Sequence, residues 1–310
     1  MECHEAVIFN ALLRITAGLG RGGACAKAGH EGPVRLVSFL LDGHAGYGAV
    51  VGDRIACLNT RPGAAPDLRT ALALGQIAGL SGLEGDDIAI DALDLLPPIP
   101  NPGKIICVAT NFREPANEGK PEPEYPITFT RFAESLTGHR APLRKPAVTA
   151  KYDFEGELAV IIGKAGFEIA RDQAMAHVAG YSCFNDGSVR DWQKHTAQFT
   201  PGKNFLRSGS LGPWMVTSDE IPDVRSLRLE TRVNGVVKQG IGMDSMIFDI
   251  PWLISYFSTF TPLAPGDVIA TGTPSGFGST RNPPEFLSIG DEIEVDISSI
   301  GVLRNIVAEE

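Results

Sequence analysis

The chain has 310 residues, 43% hydrophobic and 21% charged, a globular balance with room for one large domain and a small one. A formal net charge of −10 argues against a nucleic-acid partner, because phosphate backbones attract basic surfaces. No run of about 18 apolar residues offers a membrane span, and five scattered cysteines without C-x-x-C spacing fit a reducing cytoplasm rather than a disulfide framework or a zinc site.

Residues 1–33 differ from the rest. A short apolar stretch broken by Arg14 leads into a Gly/Ala-rich tail, and Glu2 and Glu5 stand where a signal peptide would carry positive charge. This segment reads as a non-native or disordered N-terminal extension. From Val34 the pattern is strand, turn, strand, with Asp42-Gly43 as the turn signal. Residues 66–78 read as a helix, with Leu68 and Leu72 four apart and Gly75 as its weak point. The proline-rich stretch 95–104 is taken as the boundary between a small N-terminal domain, 34–99, and a catalytic domain, 100–310.

Beyond that break strand signals dominate: KIICVAT, ELAVIIG, LRLETRVNGVVKQ and DEIEVDISSIGVLRNIV. With 35 glycines and 22 prolines, they predict a mixed, β-rich α+β fold. Asn234-Gly235 signals a type I′ hairpin, and helices are expected over 170–178 and 249–259, the latter capped by Asp249.

Carboxylates carry the chemistry. Glu155 and Glu157 are two apart where a strand begins, so their side chains share a face. Neighbouring carboxylates repel, and a hard divalent cation such as Mg²⁺ or Mn²⁺, with Ca²⁺ as a further candidate, relieves the repulsion. The ordinary alternative is a pair of solvated charges. Asp186 ends the apolar run YSCFN and is either a third ligand or part of an Asn-Asp-Gly turn. Lys203 follows in TPGKNF, and GTPSGFG (272–278) is a Gly-rich loop without the Gly-Lys-Ser/Thr of a P-loop.

In order, NFR (111–113), DFEGELAVIIG (153–163), NDGSVRDWQ (185–193), Lys203 and GTPSGFG resemble the fumarylacetoacetate hydrolase (FAH) family. The resemblance covers roughly 100–310. It implies a β-roll catalytic domain, usually homodimeric, with Glu155, Glu157 and Asp186 as metal ligands. It further implies that Gln193, Lys203 and Glu118 serve catalysis, and that Arg113, Arg190, Gly272 and Thr273 contact a small oxo-acid substrate. The reaction expected from the family is metal-dependent hydrolysis of a C–C bond in a β-diketo or 2-oxo acid, of the kind released in aromatic-ring degradation. The alternative is isomerisation, hydration or decarboxylation of a related acid on the same site, and a further alternative is a non-catalytic binding protein.

One departure stands out. Family members with N-[YF]-x-x-H-x-x-E use the His and Glu as a water-activating dyad; here Glu118 is kept but Pro115 stands at the His position. Glu118 acting alone, His139 and His195 are the candidate replacements. Arg113 and Arg131 are read as substrate-carboxylate binders or as solvated. Phe112, Tyr125, Phe129, Phe132 and Trp192 are read as core or as pocket lining.

Overall fold

The computed structural model describes residues 34–309 apart from 81, 82, 87, 115–117 and 120, so the extension 1–33 and the Pro115 position lie outside the described residues. The architecture is sheet-rich with few helices, as the strand signals predict. Strands along the path 54–57, 44–51, 35–41, 209–217, 178–185, 156–162, 268–270, 105–108 and 128–131 form the main sheet, joined at its side by two short strands. A second, five-stranded sheet runs in the order 236–242, 228–233, 292–297, 301–309 and 143–145.

The main sheet has two buried faces because Gly156–Ile162 alternates between them. Leu158, Val160 and Ile162 meet Leu229, Val295, Ile297 and Leu303 of the second sheet. Ala159 and Ile161 meet Leu36, Leu68 and Met215 on the other side. Every residue of this strand is buried, so the segment reads as an apolar run rather than an alternation. Segment 34–99 adds its strands to the same sheet, through Arg35 opposite Val216 and Leu36 opposite Met215.

Local expectations meet two corrections. The helix read over 66–78 is only Leu68–Ala73. Gly75 takes the left-handed conformation (φ +68), its N–H bonding Leu72 O while Gln76 N–H bonds Ala71 O, which stops the helix. The expected helix at 170–178 is a 3₁₀ stretch, Arg171–His177. The helix Ile250–Phe260 does begin at Asp249, whose side chain accepts from Trp252 N–H. Asn234 and Gly235 both have positive φ, as a type I′ hairpin requires.

Candidate metal centre

Two adjoining chain segments deliver the acids. Glu155 immediately precedes Gly156–Ile162, Glu157 is the second residue of that strand, and Asp186 follows the paired strand Val178–Asn185. The strands are antiparallel with Gly156 opposite Asn185, which brings the three carboxylates to one end of the sheet. Asp186 N–H donates to Glu155 O at 2.8 Å, and Asn185 Oδ1 accepts from Glu155 N–H at 3.1 Å, so their backbones are locked together. All three side chains are buried, and each has an oxygen within 4.8 Å of one on the others.

The cations around them are buried as well. Lys203, ending the one-turn helix Thr200–Lys203, bridges Glu155 Oε2 at 2.7 Å and Asp186 Oδ2 at 2.5 Å, with its Nζ 4.8 Å above the Phe129 ring. Arg190 pairs with Asp153 at 2.7 Å and with Glu155 at 2.6 Å, and it also donates to Gln193 Oε1 at 3.0 Å. Arg131 reaches Asp186 Oδ1 at 2.6 Å and is further held by Ser135, Gly187 and Ser208. The reading of Arg131 as a solvated or substrate-binding side chain is therefore corrected: it is an interior partner of Asp186.

The carboxyls respond to these surroundings differently. Burial, then the charges of Asp186 and Glu155, push Glu157 well above the usual carboxyl range. Burial also raises Glu155, against the pull of Arg190 and Lys203. For Asp186 burial acts in the same direction, but Lys203 and Arg131 together outweigh it and hold the group low. Lys203 is kept cationic because Asp186 and Glu155 overcome the effect of burial.

Four buried carboxyl groups, counting Asp153, thus face three buried cations, and Glu157 is the acid left without an ion-pair partner among the described residues. Its Oε2 accepts from Gly272 N–H at 2.9 Å, whereas Oε1 is buried without a hydrogen-bond partner among the described residues. A hard divalent cation suits this donor set: three carboxyl groups, one unpaired oxygen and one more acid than the buried cations can pair. Gly272 is required for the approach, since at φ +99 a Cβ would lie 2.5 Å from Ala109 O.

Other expected site residues are placed differently. Thr273 is buried beside Glu157's strand, its hydroxyl donating to Gly156 O at 3.0 Å and accepting from Gln239 Nε2 at 2.8 Å. Arg113 is half exposed and pairs with Glu122 at 2.5 Å. Glu118 lies exposed on a turn. His139 Nδ1 accepts from Arg304 N–H at 3.1 Å, and His195 is exposed, its ring 4.8 Å from Trp192. Of the aromatics, Phe112 and Phe129 are core, Trp192 packs on Phe205, and Tyr125 and Phe132 are exposed.

Two contributors were missed. Asp153, two residues before Glu155, accepts from Arg190, Phe154 N–H, Gly278 N–H and Ser279 N–H, and so ties the Gly-rich loop to the acidic strand. Its place in the D-F-E-G-E string was the available signal. Asn111 of the NFR motif is structural: its amide bonds Phe248 and Thr271.

A model of the fumarylacetoacetate (FAA) hydrolase C-terminal region matches residues 104–308. The oxaloacetate tautomerase YisK of Bacillus subtilis is 43% identical over 222 residues, covering 70% of this chain and 74% of that protein. The mitochondrial oxaloacetate tautomerase Fahd2a of Rattus norvegicus is 36% identical over 286 residues, covering 88% and 91%. Among solved structures, fumarylacetoacetate hydrolase from Exiguobacterium antarcticum aligns with a TM-score of 0.77 at 32% identity, covering 89% of this chain and 100% of that one. A maleylpyruvate hydrolase from Sphingobium sp. SYK-6, in complex with manganese(II) and pyruvate, aligns with a TM-score of 0.71 at 28% identity, covering 89% and 99%. In sequence and in fold, the chain belongs to the fumarylacetoacetate hydrolase family.

Proposed function

We propose that the protein is a divalent-metal-dependent tautomerase of a small 2-oxo acid, with oxaloacetate as the substrate to test first. This reading takes the isomerase alternative over C–C hydrolysis, and the tautomerase names of its relatives support that choice. The observation that carries it is the placement of the imidazoles. Pro115 replaces the expected histidine, His139 is bound to the Arg304 backbone, and His195 is exposed against Trp192. Hydrolysis needs an activated water, whereas tautomerisation only moves a proton between the 2-oxygen and C3, from the oxygen to the carbon when the enol is consumed, with every C–C bond intact.

In this proposal Glu155, Glu157 and Asp186 hold Mg²⁺ or Mn²⁺. Bound there, the cation supplies Lewis-acid polarisation of the substrate's oxygens. Lys203 has three N–H bonds, of which two meet Glu155 and Asp186; the third is assigned to the negative charge developing on the 2-oxygen. Arg190 NH2 is buried without a partner among the described residues and is assigned to a substrate carboxylate.

The test is to add enol-oxaloacetate to Mn²⁺-loaded wild type and Glu155→Ala, following loss of the enol optically and product mass in parallel. Metal-dependent loss of enol with mass unchanged, absent in the variant, is the expected result. Faster cleavage of an acylpyruvate into two acids would overturn the tautomerase assignment in favour of hydrolysis.

A further inference from the structure

The Glu155-Gly156-Glu157 string is gripped at its middle residue. Gly156 N–H donates to Gln239 Oε1 at 2.9 Å, Gln239 Nε2 donates to Thr273 Oγ1 at 2.8 Å, and Thr273 Oγ1 donates back to Gly156 O at 3.0 Å. The three residues close a hydrogen-bonded ring on the backbone of a single glycine. Gln239 comes from Val236–Gly242, the edge strand of the second sheet, and its Nε2 also donates to Pro274 O at 2.8 Å. It is 2% exposed. Gly156 fits the ring because it has no side chain: a Cβ would meet Thr231 Oγ1 at 2.0 Å.

The ring has two chemical consequences. Thr273 has one hydroxyl proton, and Gly156 O takes it, so Thr273 is not free to donate to a substrate oxygen as the family resemblance implied. Both peptide groups of Gly156 are also fixed, which sets the directions in which Glu155 and Glu157 leave the chain. Through Thr273, the same ring steadies Gly272, whose N–H holds Glu157 Oε2.

We infer that Gln239 is a positioning residue, acting through Thr273 and Gly156 to hold Glu155 and Glu157 in place for a divalent cation. The inference rests on the metal site proposed above but not on the choice of reaction. Outer partners of metal ligands typically contribute about 10–100-fold in affinity, and Gln239 is assigned a contribution in that range.

The experiment is calorimetric titration of Mn²⁺, without substrate, into full-length wild type, Gln239→Ala, Thr273→Val, Thr273→Ser and the Gln239→Ala/Thr273→Val double variant, with melting curves for each. Expected results are weaker Mn²⁺ binding by about 10-fold or more in each of Gln239→Ala and Thr273→Val, a double variant no weaker than the worse single one, and tight binding kept by Thr273→Ser. Wild-type affinity in Gln239→Ala, or losses that multiply in the double variant, would overturn the ring. Should Gln239→Ala fail to fold, the Thr273→Val and Thr273→Ser pair still decides, because equal affinities in the two would overturn it. No Mn²⁺ binding by wild type would overturn the metal site and the inference together, whereas loss of affinity without tautomerase activity would overturn only the reaction.

Discussion

Two of the molecule's networks of acids and bases differ chiefly in burial. At the end of the main sheet, Arg131, Arg190 and Lys203 interlock with Asp153, Glu155 and Asp186, all almost wholly out of solvent. Across the second sheet, Arg232 pairs with Glu230 at 2.6 Å and Asp296 at 3.0 Å, and Arg304 with Glu294 at 2.5 Å, in contact with water. The distances are alike, but the energetics are not. Exposed pairs are screened and contribute about 0–1 kcal/mol, whereas breaking a buried pair strands a charge that water cannot reach. The interior network is therefore one that must stay balanced, and the unpaired acid beside it, Glu157, is what suits it to a cation.

The sharpest way to break this comparison is Lys203→Met in metal-free protein. Glu155 and Asp186 would each lose a partner, and we expect a loss of about 3–5 kcal/mol, read from denaturant unfolding. Added Mn²⁺ should raise the melting temperature more in this variant than in wild type. A loss under about 1 kcal/mol would mean that the interior cluster behaves like the surface ladder.

His139 probes the ground between the two networks. Its pKa is lowered to about 4 by burial, then by Arg140 and Arg304, the last a member of the exposed ladder. The unfolded chain protonates first, so this histidine costs nothing above about pH 6.5. As pH falls from there towards 4, stability is lost, by about 2 kcal/mol after allowing for the ring's partial exposure. His139→Asn should remove that part of the pH dependence in unfolding curves; an unchanged slope would refute it.

Glu157→Gln sharpens the charge argument. A carboxyl raised by burial destabilises the fold as pH climbs above its unfolded value, so the metal-free variant should be more stable at neutral pH and lose less stability between about pH 5 and 7. Mn²⁺ binding should weaken at the same time. A variant that is less stable and still binds Mn²⁺ normally would show that Glu157 carries no excess charge. The smallest effect is expected from Arg232→Ala: less than about 1 kcal/mol, shrinking further in high salt. A larger, salt-insensitive loss would place the ladder with the buried network.

Much of the fold was legible because it rests on local rules. Asp249 caps its helix and Asn234-Gly235 makes its hairpin for reasons contained in a few neighbouring residues. The buried strand Gly156–Ile162 announced itself as a continuous apolar run after two acids. Local rules also have limits: leucine spacing over 66–78 predicts a longer helix than Leu68–Ala73, because spacing alone does not register the stop at Gly75.

The sequence by itself determined the elements, the family motifs and the acidic residue types from which a metal site could be built. Only the tertiary structure decided their partners. Arg131 is 55 residues from Asp186, Gln239 is 83 from Gly156, and Thr273 is 117 from that same glycine. Strand alternation tells which way a side chain points, but not which strand pairs with it or what lies across the interface. Whether a charge is solvated or buried, and whether a hydroxyl is free or bound, follows from those pairings. The exposure of Arg113, the burial of Arg131 and the ring around Gly156 therefore became visible only when the sheets were assembled.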